Sequence, residues 1–543
     1  MHPIDWLVLA GSILFIVFYG LYRSRNTTTT DQYLRAGKTM PWYAMALSIM
    51  ATQASAITFI STTGQAYADG LRFVQFYFGL PLAMILVSAF VVPVFHRANV
   101  YTAYEYLEQR FDAKTRALVS VIFLIQRGLA VGVALYAPAI VLTVILGWPD
   151  TITTAFMGVV VVVYTAIGGI KAVTWTDFQQ MLIMFAGLFI SLGMVLYLLP
   201  PELSVYDAFR LAGAAGRLNA VVTSFDWNDR YNLYNGLLGG MFLALAYFGC
   251  DQSQVQRYLT GKSIAQSRIS LLFNAVAKIP MQFFILTVGA LVFVFYTFEK
   301  PPVTFHSQEQ AKLEQSADYT GVQAQFDRAF EARREAARAF LNGSKTAADY
   351  RQTQLQFESV KQKASPANDT NYVFLSFVIK YLPVGVVGLI LAAIFAAAMS
   401  TISAEINSLA TVSVIDVYRR FLRPGQSDPH YLNASRAFTI FWGAYAVVTA
   451  RYGRSLGSLI EAVNMLGSFF YGGLLGVFVL ALFFPRVRGT QAFAGMLIGE
   501  AAIFTAHWLT NISFLWYNVI GAVVVVGSAW ALSVATPARA AQH

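Results

Sequence analysis

A single cysteine, Cys250, stands in a chain of 543 residues, which excludes an internal disulfide and a cysteine-based metal centre. Charge is scarce too. Asp, Glu, Lys and Arg make up 12% of the chain, about half of what a soluble domain carries. The six histidines fall in no HExxH pattern, and no Walker pattern occurs, so an enzyme is not expected. The first apolar run, Trp6 to Tyr22, lacks a basic flank before it and a small-residue cleavage site, and reads as a retained helix rather than a leader. The net charge of +10 could suit nucleic acid, but the basic residues sit in short loops beside apolar runs, where they set orientation in a bilayer.

What the chain has instead is apolar length. It is 57% hydrophobic, and runs of about 20 residues, enough to cross a hydrocarbon core, recur from end to end. The reading is an all-α polytopic membrane protein with about thirteen spans: 5–23, 43–64, 73–96, 116–146, 149–168, 177–199, 233–250, 270–297, 373–403, 432–450, 458–483, 490–508 and 513–535. Alternate loops carry the basic residues, among them Arg35 and Lys38, Arg110 and Arg116, Arg257 and Lys262, and Arg419 and Arg420. That pattern predicts an N-terminus outside and a C-terminus in the cytoplasm. Residues 300–370 differ in kind, being rich in Ala, Glu, Arg and Gln at helical spacing, and predict an extramembrane helical hairpin.

Three stretches place polar groups where they are expensive. In "AAAMSTISAEINSLA", Ser400, Ser403 and Asn407 step along one helix face with Thr401 and Ser408 beside them. Hydroxyls and freed carbonyls are the ligands a hard cation such as Na⁺ prefers. They also suit helix packing and back-bonding to the preceding turn. In "SIMATQASAITFISTTGQAY", small residues with Thr52, Gln53, Ser55 and Thr58 predict a helix interrupted mid-membrane. In "GGIKAVTWTDFQQ", Asp177 either caps a helix or binds a cation.

Together with "TAYEYLEQRFD" and "GCDQSQVQRYLTGKS", these stretches resemble the sodium/solute symporter family over nearly the whole chain. The resemblance implies a LeuT-like core of two five-helix inverted repeats, running from the second span through the eleventh. The parts are then residues 1–42, a first helix and cytoplasmic loop; 43–485, the transport core with its insertion near 300–370; and 486–543, two further helices and a tail. It implies a sodium site from the carbonyls of Ala51, Ala54 and Ala397 with the hydroxyls of Ser400 and Thr401. It also implies a second sodium near Asp177 and Ser403 in some members.

For the solute, the matching positions are Gln53, Thr58, Tyr77, Lys278 and Asn464, with Tyr247 as a gate. Tyr77 replaces a carboxylate of the sugar carriers, and Lys278 could instead snorkel to the interface. The wording "DQSQVQRYL" is closer to carriers of sialic acid, monocarboxylates and vitamins. Arg127, inside the fourth span, suits a carboxylate geometrically. It stands about three residues before the anchoring position of the sialic-acid carriers, which is Ala130 here, and pairing with an internal carboxylate is the rival reading. The function expected is sodium-coupled import of an organic anion across the plasma membrane by alternating access. A sodium/sugar symporter is the alternative, and a transporter-derived channel or sensor the different-class rival. No signalling domain is expected after residue 535.

Overall fold

The computed structural model describes residues 1–366, 368–455 and 458–535, and apart from one isolated bridge between Met40 and Gly261 its regular elements are helices. All thirteen expected segments fall on helix. Nine helices among the described residues are long and apolar enough to span a membrane. The number is lower because Thr151–Tyr197 runs the fifth and sixth segments together and Ala56–Ala98 joins most of the second to the third. Asn235–Gly249 is short, and Asp428–Ala450 also falls outside the set. The expected span 373–403 is divided by Pro383 and by Gly385, whose φ is 88°, into Thr370–Tyr381 and Val386–Val412.

Two helices are broken within the bundle. Trp42–Gln53 ends at Ala54, whose ψ of 76° leaves the helical region, and Ala56–Asp69 restarts after an extended Ser55. Asn235–Gly249 ends at Cys250, and Gln252–Leu259 restarts behind Asp251 (ψ 120°), whose side chain caps the new helix. Each break leaves terminal carbonyls and N–H groups without helical partners. A third irregularity bends the Asp150–Tyr197 helix at Gly169, where φ is 56° and ψ −154°, a region essentially restricted to glycine.

The Val386–Val412 helix runs through the centre, buried along almost its whole length. Its most extensive packing is against Asp150–Tyr197, and it also touches both halves of the first broken helix. Its first turn is held by Asp5, whose Oδ1 accepts the Gly385 and Gly388 N–H groups at 2.7 and 3.1 Å. At its far end Arg116 reaches Asp416 and Glu108, each at 2.7 Å, and Arg420 donates to Glu108 at 2.8 Å. Arg116, read from sequence as a loop charge, is therefore a buried strut. Leu459–Phe483, Gly489–Leu509 and Leu515–Ala535 form a closely packed trio beside this core.

The insertion is a hairpin of Tyr319–Leu341 and Ala347–Ala364, turned at Gly343 with φ 77°. It sits over one end of the Ile264–Phe298 helix, to whose Tyr296 carbonyl Arg333 donates.

Candidate functional site

The first break, the helix that leads into the second and the central helix contribute to a cavity lined by Gln53, Tyr77, Arg127, Tyr247, Thr401, Glu405, Asn464 and Tyr471. Six of the sequence-expected residues are thus brought together. Thr58 is buried in the first turn after the break, outside the lining. Lys278 also stands outside it, with no exposure and its ammonium 5.6 Å from the Tyr77 ring centre, so it does not snorkel. Gln53 keeps a buried, unpartnered Oε1 at the cavity, and the Asn464 amide donates to Ile460 O at 2.8 Å.

Beside the cavity, Thr401 lays its hydroxyl on the Thr52 carbonyl at 3.1 Å, tying the central helix to the last turn before the first break. Ala51, Ala54 and Ala397, the carbonyls expected to hold sodium, are fully buried. Ser400 donates to Asp177 Oδ1 at 2.7 Å, and Ser48 donates to Oδ2 at 2.5 Å. Asp177 is no helix cap. It lies within the long helix beyond the Gly169 kink, fully buried, with its carboxylate between two hydroxyls. Ser403 turns away and donates to the Ser400 carbonyl at 3.0 Å, so Asp177 meets Ser400 rather than the expected Ser403. The oxygen-rich, sulfur-free and imidazole-free donor set suits a hard monovalent cation.

Arg127 meets internal carboxylates. Its guanidinium donates to Glu405 Oε1 at 2.8 Å, to Asp251 Oδ2, and to the Tyr471 hydroxyl at 2.6 Å. Asp251 is in turn held by Tyr471 at 2.9 Å and by the backbone N–H of Ser253 at 2.8 Å. One guanidinium edge is therefore clamped between the second broken helix and the central helix. Arg127 Nε and Glu405 Oε2 keep no partner. The Tyr247 ring lies 5.6 Å from the guanidinium carbon, and its hydroxyl accepts from Gln254 at 2.8 Å.

Arg257, also read as a loop charge, is buried on the restarted half of the second broken helix. Its Nε lies 3.3 Å from Thr52 Oγ1 and 4.0 Å from Asp177. Sequence reasoning therefore missed Asp251, Tyr471, Arg257 and Ser48, and did not join Glu405 to Arg127. A carboxylate following an apolar run, as Asp251 does, was the one available signal for the second break.

The first break lies against the hydroxyls of the central helix, and the second holds Arg127 through Asp251. The model of the sodium:solute symporter family matches residues 33–312 and 356–499. The chain belongs to that family. It is 26% identical over 528 residues to the sodium/sialic acid symporter SiaT of Proteus mirabilis, covering 96% of this chain and 93% of that protein. It is also 26% identical over 542 residues to the sodium/glucose cotransporter of Vibrio parahaemolyticus, covering 96% and 89%. A solved substrate-bound, outward-open Na⁺-coupled sialic acid symporter superposes with a TM-score of 0.78 at 25% identity, over 98% of each chain.

The chain is thus a multi-pass membrane symporter with the LeuT-like inverted-repeat fold, whose ligands are sodium and a small solute. It is a transporter, not an enzyme.

Proposed function

We propose that this symporter imports a small organic acid, of the sialic acid or monocarboxylate kind, across the plasma membrane with sodium. The observation that carries the reading is Arg127 in the cavity wall. A substrate carboxylate would meet the unpartnered Nε–H of Arg127, and would make the two parallel bonds that a guanidinium favours by displacing Glu405 and Asp251 from its outer edge. Relatives named as sodium/sialic acid symporters support the same class. Sodium would sit among the carbonyls of Ala51, Ala54 and Ala397 and the hydroxyls of Ser400 and Thr401. A second ion would sit at Asp177, beside Ser400 in place of the expected Ser403. Tyr247 would be the inner gate. The transport core spans 43–485, with the N-terminus outside, the C-terminus in the cytoplasm, the lipid bilayer around it and no role for nucleic acid.

A second reading, a sodium/sugar symporter, is favoured by the fact that Asp251 and Glu405 already neutralise Arg127. It also suits Gln53 and Asn464, which line the cavity as amide groups able to hold hydroxyls. The test is competition for uptake in proteoliposomes by sialic acid and by a neutral amino sugar of the same ring. Arg127→Lys should cost the acid roughly 2–5 kcal/mol of binding, as for a truncated buried pair, while a neutral sugar stays nearly indifferent. Equal competition by both solutes would overturn the organic-acid reading.

A further inference from the structure

The hairpin helix carrying Arg333 falls between the two blocks that the family model matches, so its chemistry is not supplied by the family scaffold. Between the hairpin and the membrane core lies a second cavity of about 390 Å³, within the size range of small-molecule sites. Its floor is Tyr67 near the end of the Ala56–Asp69 helix, the segment that begins at the first break. This face is the one the basic-loop pattern places outside.

The charges around this cavity do not cancel one for one. Glu358 is taken by Arg217 and by the Gln354 amide at 2.8 Å. Asp369 is taken by Lys361 at 3.0 Å and by the Phe305 N–H at 3.0 Å. Arg333 is left over. It is 1% exposed, lies with its guanidinium carbon 3.8 Å from the Phe357 ring centre, and donates only to the Tyr296 carbonyl, with its Nε unpartnered. Burial holds this guanidinium below its ordinary value, and no carboxylate among the described residues pairs with it. A buried cation with a free donor, stacked on an aromatic face beside an open cavity, is the recognition chemistry of an oxyanion.

We propose that this cavity is an outer binding site for a small oxyanion, anchored by Arg333. The carboxylate of the transported solute would occupy it before reaching the central cavity. Only that assignment of the occupant rests on the organic-acid reading above, since inorganic phosphate carries the same chemistry.

The experiment measures equilibrium binding of labelled sialic acid and of phosphate to the purified full-length protein, with and without sodium. The wild type should show a sodium-independent component that Arg333→Gln weakens about tenfold, the scale of one lost charge-assisted hydrogen bond. Uptake by Arg333→Gln should need several-fold more solute for half-saturation while its maximal rate is unchanged. Glu358→Gln should act in the opposite direction and tighten sodium-independent binding, because it frees Arg217, and a misfolded hairpin cannot produce that gain. Sodium-independent binding that is absent, or unaltered by both substitutions, overturns the proposal. Sodium-independent binding of phosphate but not sialic acid, lost in Arg333→Gln, keeps the site and removes the transported acid as its occupant.

Discussion

Ser400 donates its hydrogen bond to Asp177, which leaves the lone pairs of its hydroxyl to accept. Thr401 spends its own proton on the Thr52 carbonyl. Removing either hydroxyl withdraws an oxygen from the same small region. Ser400→Ala and Thr401→Ala should therefore both raise the sodium concentration for half-maximal uptake, with sodium still the coupling ion. Wild-type sodium dependence in both would refute the assignment. Asp177→Asn should lower the sodium Hill coefficient if a second ion binds there, in protein that still reaches the membrane. These hydroxyls were legible in the sequence because Ser and Thr are conspicuous within an apolar run. The partners of Arg127 were not, because they come from 124 and 278 residues away, and only the fold sets them against one helix face.

Breaks and kinks act on whole helices. A Cβ at Gly169 would lie 2.4 Å from the Tyr33 carbonyl, in a backbone conformation that already costs roughly 1–3 kcal/mol for other residues. Gly169→Ala should lower the melting temperature of the purified protein by several degrees, whatever its effect on sodium affinity. At the opposite end, Glu108 is held below the usual carboxylate range. Burial opposes its charge, but Arg420 and Arg116 outweigh that effect. Its contribution to the clamp is present above the ordinary carboxylate value and is lost as pH falls through the lowered one. Glu108→Gln should abolish that acid-side loss in a melting profile. The first break could be read from its unbroken series of small residues. The second could not, because an apolar run ending at Gly249 looks like any span reaching water, and Arg257 then reads as a loop charge.

Over the whole molecule, sodium binds an arrangement that only the folded bundle assembles. At a concentration a hundred times its dissociation constant it should stabilise the protein by about 2.7 kcal/mol. Melting followed against sodium and potassium should show this shift with sodium alone, and a smaller one in Thr401→Ala. The buried groups around the central cavity have a further consequence. Arg127 and Arg257 stand against Asp177, Asp251 and Glu405, and Lys278 is buried outside the lining without a carboxylate partner among the described residues. Every sodium ion that enters must be matched by its passenger or be felt by the membrane potential, at about 2.3 kcal/mol per charge per 100 mV. A monovalent acid travelling with one sodium makes a silent cycle. A second sodium, or a neutral sugar in place of the acid, makes each turnover carry one positive charge inward, so the current per solute counts the ions once the solute's own charge is known.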